Sequence, residues 1–199
     1  MAKRKSSLLN MLLSLTLICV VSGGLIAGMN ELTMEPIAIA KQAKLLDAIR
    51  EVTPEFDNSP SDEVYKVGIA PGDTAVIYPA RKNDELVGIA VETTTMNGFN
   101  GEIRILTGLT PAGEIINYEV LSHAETPGLG DKMATWFKTE KNNQSIIGKN
   151  LSTGVLSLAK DGGDVDAITA STITSRAFIQ AVNKTYSAYS GQADGQTDA

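Results

Sequence analysis

The stretch Glu85-Leu-Val-Gly-Ile-Ala-Val-Glu-Thr-Thr-Thr95, followed by Asn97-Gly98 and Gly101-Glu-Ile-Arg-Ile-Leu-Thr-Gly-Leu109, decides the fold. Both runs are rich in β-branched residues, and Asn-Gly is a strong hairpin signal. Working outward, Thr74 to Ala80 and Ile115 to Ser122 have the same character, joined to the first pair through turns at Lys82-Asn83-Asp84 and Pro111-Ala112-Gly113. Connections this short require antiparallel pairing, because a parallel crossover needs a dozen or more residues. The four runs therefore predict a meander sheet.

Helical patterns flank it. From Ile173 to about Tyr189 the apolar positions Ala177, Phe178, Ala181, Val182 and Tyr186 recur at helical spacing. Lys132 to Lys138 predicts a short helix and Val155 to Ala159 a short strand. Pro36 to Glu51 reads as a separate amphipathic helix opened by its proline, and Thr53 to Pro71, rich in Pro, Ser and Asp, reads as linker or irregular structure. The fold class is α+β: an antiparallel meander sheet packed with helices and preceded by one N-terminal transmembrane helix.

Leu8 to Met29 carries no charged side chain; as a helix at ~1.5 Å per residue it spans about 33 Å, enough to cross a bilayer. Lys3, Arg4 and Lys5 precede it, and Glu31 and Glu35 follow. Positive charge stays on the cytoplasmic side, so the N-terminus is expected in the cytoplasm of a bacterial inner-membrane protein and the body outside it. A retained anchor is favoured over a cleaved signal peptide because the apolar run is long and lacks a small-x-small cleavage site. Ile18 before Cys19 argues against a lipoprotein. The expected organisation is 1–30 stub and anchor, 31–72 amphipathic helix and linker, 73–190 folded domain, and 191–199 disordered tail.

Composition narrows the chemistry. The chain has 199 residues, 43% hydrophobic and 20% charged, with a net charge of −6 even after the three N-terminal cations are counted. An acidic body disfavours nucleic acid. One cysteine and one histidine leave no intrachain disulfide and argue against a zinc site. Any redox chemistry must come from another group, and no strand leads into a G-x-G-x-x-G helix start that could bind NAD.

Two segments carry that possibility. Asp166-Ala-Ile-Thr169-Ala170-Ser171-Thr172-Ile-Thr-Ser175 enters the last helix. By itself a hydroxyl run there is a helix cap, but unpaired amides and the positive helix end also favour a phosphate. Glu125-Thr126-Pro127-Gly128-Leu129-Gly130-Asp131-Lys132 is either a tight surface turn or a loop whose glycines let backbone approach a flat ligand. Lys160-Asp161-Gly162-Gly163-Asp164 adds a cation on a flexible turn.

In this order, Glu-Thr-Pro-Gly-Leu-Gly-Asp-Lys, Lys-Asp-Gly-Gly-Asp and Asp-x-x-Thr-Ala-Ser-Thr-x-Thr, the sequence resembles the FMN-binding domain family. In its arrangement from anchor to last helix it is similar to the G subunits of Rnf-type electron-transport complexes. The resemblance implies covalent FMN, placed by a flavin transferase from FAD through a phosphoester bond on Thr172. Asp166 and Thr169 hold the motif's earlier positions, with Ala170 where Gly is usual and Ser171 where Ala is usual. It further implies that Glu125, Thr126, Gly128, Leu129 and Gly130 lie along the flavin ring, with Lys160 near the phosphate or the ring.

The expected role is a membrane electron carrier, not catalytic alone. Its partners would be other membrane subunits of a complex coupling ferredoxin and NAD redox chemistry to ion movement. The C subunit of a sodium-translocating NADH:quinone reductase and an anchored non-redox scaffold are the alternatives. His123, at a strand end, reads as a structural hydrogen-bonder more readily than as a proton carrier.

Overall fold

The computed structural model describes residues 8–194. The basic cluster at Lys3 to Lys5 and the end of the expected tail lie outside the described residues. The chain divides into a unit that ends at Lys44 and one that starts at Leu45.

The first unit is helical, the larger part of α1 (Leu8–Val52). A window of α1 reaches a mean hydropathy of 2.2 with none of its side chains buried, long and apolar enough to cross a membrane. Pro36 does not open a new helix as its position predicts; it lies inside α1. A proline removes one helical hydrogen bond and crowds the preceding turn, yet the helix runs through it.

The second unit is built on five strands in the order β1-β2-β3-β4-β5, each antiparallel to its neighbour: β1 (Tyr65–Ala70), β2 (Asp73–Lys82), β3 (Glu85–Gly98), β4 (Gly101–Leu109) and β5 (Ile115–His123). The meander expected from four runs is present, with β1 added inside the segment read as linker. The β2–β3 turn places Asn83 and Asp84 both at positive φ, 54° and 65°. Asn and Asp tolerate that region better than other side chains.

The rest of the linker is also pinned. β1 pairs with β2 no further along than Ile77. Beyond that point Asn58 takes over: its Nδ2 donates to Pro79 O at 3.0 Å, and Arg81 N donates to its Oδ1 at 2.9 Å. Pro79 therefore sits in a strand at no cost, because its missing N–H falls where no strand pairs.

Alternation gives the sheet two apolar faces. On one, Ala75, Ile77, Ile89, Val91, Ile103 and Ile105 meet α3 (Thr172–Asp194). Phe178 of α3 stacks on Phe137 at 4.5 Å and meets Tyr118 edge-on at 4.8 Å. Thr93 in β3 donates to Ala181 O at 2.9 Å.

On the other face, Tyr78, Ala90 and Leu106 cover Ala48, Ile49 and Val52, the last turns of α1. The larger aliphatic side chains among them, Ile49, Val52 and Leu106, are fully buried and contribute roughly 1.5–3 kcal/mol each.

The short helix expected over Lys132 to Lys138 is the 3-10 turn Gly130–Lys132 leading into α2 (Met133–Trp136). Val155 to Ala159 is not a strand. The segment makes one isolated bridge, Leu158 to Val165, and ends in the 3-10 turn Ala159–Asp161. The last helix continues to Asp194, so the first residues of the expected tail are helical.

Candidate functional site

The β5 strand delivers the chain into the Glu125 loop. His123 Nδ1 accepts from Glu125 N at 3.2 Å, a structural bond that turns the backbone away from the sheet. Leu129 N then bonds Thr126 O at 3.1 Å, with Gly128 at φ 77°. Gly130 is buried, and a Cβ there would lie 2.5 Å from Glu125 Oε2 and 2.9 Å from Thr174 Oγ1. Only a glycine lets the loop close over the carboxylate.

Glu125 is 5% exposed and joins three elements. Its Oε1 accepts from Asn100 N at 3.1 Å, at the β3–β4 hairpin tip. Its Oε2 accepts from Thr174 Oγ1 at 2.7 Å, in the first turn of α3. Asn100 Nδ2 reinforces the junction through Ala124 O at 3.0 Å and Thr126 Oγ1 at 3.3 Å.

The hydroxyl run enters α3 through a left-handed residue. Ala170 has φ 61°, a conformation that costs a residue with a Cβ about 1–2 kcal/mol and that glycine adopts freely. Ser171 O accepts the first helical bond, from Ser175 N at 3.0 Å, so Ser171 stands at the N-cap. Its hydroxyl donates to Thr174 Oγ1 at 2.9 Å. Ser175 Oγ in turn donates to Ser171 O at 2.8 Å and accepts from Ile168 N at 2.9 Å. These bonds fix the backbone on both sides of Thr172.

Thr172 is half-buried, and its Oγ1 accepts from Lys160 Nζ at 3.1 Å. Arg176, one turn along α3, grips the adjacent Asp161 with two bonds of 2.8 and 2.7 Å. The hydrogen bond from Arg176, then the charges of Arg176 and Lys160, hold the Asp161 carboxyl below its ordinary range.

Between loop and helix lies a cavity of about 330 Å³, lined by Phe99, Glu125, Thr126, Leu129, Gly130, Ala170, Ser171, Thr172, Ile173 and Thr174. Of the residues singled out in the sequence, this brings together Glu125, Thr126, Leu129, Gly130, Ala170, Ser171 and Thr172, with Lys160 touching Thr172. Gly128, Asp166 and Thr169 do not line it. Asp166 accepts from Asn143 N at 3.2 Å through Oδ2 and from Trp136 Nε1 at 2.9 Å through its carbonyl, so it anchors the segment before α3 to the Asn143 loop and to the end of α2.

Phe99, Asn100, Ile173 and Thr174 were missed. Phe99 carried a signal: an aromatic at a hairpin tip between Gly98 and Gly101, 65% exposed, has no packing reason to be there. With Leu129 and Ile173, also exposed, it gives the cavity apolar walls. Apolar walls, a hydroxyl beside a cation and the start of a long helix suit a flat aromatic group that carries a phosphate.

The FMN-binding domain model matches residues 98–187. The match opens at the β3–β4 turn and closes within α3, so it includes both walls of the cavity. The chain is 36% identical over 182 residues to the G subunit of the ion-translocating oxidoreductase complex of Vibrio parahaemolyticus, covering 87% of this chain and 85% of that protein. The G subunit of the same complex in Erwinia tasmaniensis is 37% identical over 183 residues, covering 86% and 85%, and that in Shewanella piezotolerans 35% over 189 residues, covering 90% and 87%.

The chain belongs to this family of G subunits. The aligned share exceeds the matched domain, so the likeness extends beyond the FMN-binding domain into the segments before it.

Proposed function

We propose that the chain is a membrane-anchored electron carrier of an ion-translocating oxidoreductase complex, holding FMN through a phosphoester on Thr172. The observation that carries this reading is the position of Thr172. Its hydroxyl stands beside Lys160 at the start of α3, on the rim of an apolar cavity within the segment matched by the FMN-binding domain.

FMN, when bound, supplies one- and two-electron chemistry. The chain's own residues attach and orient it. Thr172 provides the ester oxygen, and Lys160 with the amides of the α3 N-terminus offsets the phosphate charge. Phe99, Leu129 and Ile173 offer apolar surface to the ring, and the buried Glu125 holds the loop in place. Asp166 and Thr169 serve the segment's shape and its recognition by a flavin transferase.

The other subunits of the complex are the electron-transfer partners, and α1 keeps the domain at the membrane beside them. With Lys3, Arg4 and Lys5 in the cytoplasm, the flavin domain lies on the extracytosolic side.

The test is expression of the full chain with and without a flavin transferase. Covalent fluorescence in a denaturing gel should appear only with the transferase and vanish in Thr172→Val. No fluorescence in the wild type under either condition rejects the reading. A reporter fused after Ser190 should be active only outside the cytoplasm.

A further inference from the structure

The wall of the cavity holds a buried negative charge that no cation answers. We infer that this charge, on Glu125, sets the potential of the flavin ring by opposing the negative charge that reduction brings to it. The inference rests on FMN occupying the cavity and adds a residue that tunes it.

Two glutamates are buried among the described residues, and their surroundings differ. Glu92, beside Tyr78 on the sheet face that meets α1, is 9% exposed and paired with Arg104. Glu125 is 5% exposed and makes no ion pair among the described residues. Its two hydrogen bonds come from neutral donors, Asn100 N at 3.1 Å and Thr174 Oγ1 at 2.7 Å. Such bonds satisfy the oxygens and leave the charge in place. A buried charge without a cation is costly, yet this one stands in the wall of the cavity.

The charged groups around it are committed elsewhere. Lys160 donates to Thr172 Oγ1 at 3.1 Å, at the attachment end, and Arg176 holds both oxygens of Asp161. In the loop itself are Asp131, Lys132 and His123, whose Nδ1 accepts from Glu125 N at 3.2 Å. From the β3–β4 tip come only Phe99 and Asn100, which do not titrate. A ring that fills the cavity touches the wall formed by Glu125, Gly130 and Thr174.

Two electrons from a donor and one proton from solvent convert the neutral oxidised ring into a reduced ring with one negative charge; a second proton from solvent removes that charge. At low pH both protons are taken up, the ring stays neutral, and Glu125 has little to oppose. At higher pH only one is taken up, and the anion faces the carboxylate where repulsion is weakly screened. Glu125 therefore lowers the potential on the high-pH side. It also raises the pH at which the second proton leaves, by at least about one pH unit.

The test is a spectroelectrochemical titration of the full chain, loaded by a flavin transferase, with the two-electron midpoint potential followed against pH. The slope of that curve halves at the pH where the second proton is lost. Glu125→Gln keeps the size of the side chain and an acceptor for Asn100 N, and removes the charge. It should move the break down by about one pH unit or more, raise the potential above the break and leave the low-pH arm where it was. Glu125→Asp keeps the charge and should follow the wild type above the break. Glu92→Gln removes a buried carboxylate from the other face and should leave both arms in place.

An equal displacement of both arms by Glu125→Gln overturns the inference, since a change of shape would act on both. So does Glu125→Asp following Glu125→Gln, or Glu92→Gln moving the break as far. If Glu125→Gln does not load, redox-difference infrared spectroscopy of the wild type grown on isotope-labelled glutamate decides. Reduction above the break should shift one glutamate carboxylate band, and no shift overturns the inference. A wild-type chain without FMN fails the functional proposal instead.

Discussion

Lys160 Nζ lies 3.1 Å from Thr172 Oγ1, a cation from one turn meeting a hydroxyl at the first residue of α3. Replacing Lys160 by Met keeps the unbranched stem, short of its terminal atom, and removes the charge. An exposed ammonium facing the charge of an incoming phosphate is worth up to about 1 kcal/mol, or about fivefold in rate. Lys160→Met should therefore slow flavin attachment by up to that factor. Salt should slow the wild type more than the variant, because it screens an exposed charge. A time course of in-gel fluorescence with purified transferase at low and high salt measures both.

The Lys160 turn depends on Arg176. Its fork holds both oxygens of Asp161, and lysine cannot reproduce that geometry. Arg176→Lys and Asp161→Asn should each show part of the Lys160→Met effect without removing the cation. The pH dependence has a definite sign. The Asp161 carboxyl is held below its ordinary 3.8 by the Arg176 bond, so the clamp is fully present above that value and is lost only as pH falls through the lower folded value. Titrating the attachment rate from neutral pH to about pH 5 should therefore expose no step from this pair.

Strands β2 to β5 were legible because their alternation and turn residues agree. Tyr65 to Ala70 was not: it is a short edge strand inside a segment whose prolines, serines and aspartates signal turns. Asn58 completing the ladder beside Pro79 is a tertiary event with no local signature. Pro36 misled because packing, membrane or neighbouring turns can carry a helix through a proline that local rules would place at its start. In the site, the Glu125 loop and the hydroxyl run were visible as motifs. The hairpin tip that meets them was not, since Phe99 reaches the cavity and Asn100 the Glu125 carboxylate only once β3 and β4 have paired. In the sequence only the register of the motif set Thr172 apart from Ser171; that one accepts from Lys160 while the other donates to Thr174 is a tertiary fact.

Tyr78 gives the domain an alkaline limit. Burial first, then the charge of Glu92 and the 3.3 Å hydrogen bond to it, pushes its phenol from 10.0 up to about 12. A raised value means that the folded state holds the proton more tightly than the unfolded chain. Its contribution is present below pH 10 and is lost as pH rises towards 12. Tyr118, buried against Phe178, is raised in the same direction for the same first reason. Tyr78→Phe should remove about 1 kcal/mol of the stability lost near pH 11. Urea unfolding of the full chain in detergent at about pH 8 and about pH 11, followed by the fluorescence of Trp136, reads that difference.

Gly108 in β4 lies directly against the end of α1. A Cβ there would sit 1.7 Å from Val52 O and 2.5 Å from Val52 C, well inside contact distance and against backbone that has little freedom to move. Gly108→Ala must push Val52 off the sheet, disturbing the cluster of Ala48, Ile49, Tyr78, Ala90 and Leu106. Overpacking of this kind costs about 1–3 kcal/mol, and more where the obstacle is main chain. Gly68 in β1 is the matched control, since a Cβ there meets nothing within 4 Å, and Gly68→Ala should leave stability within about 0.5 kcal/mol. Loss from Gly108→Ala should appear as a lower urea midpoint with the slope unchanged. The cavity lies on the opposite face of the sheet, so flavin attachment at Thr172 should persist below that midpoint. If attachment is lost while the sheet is still folded, the α1 face and the flavin face are coupled through β4.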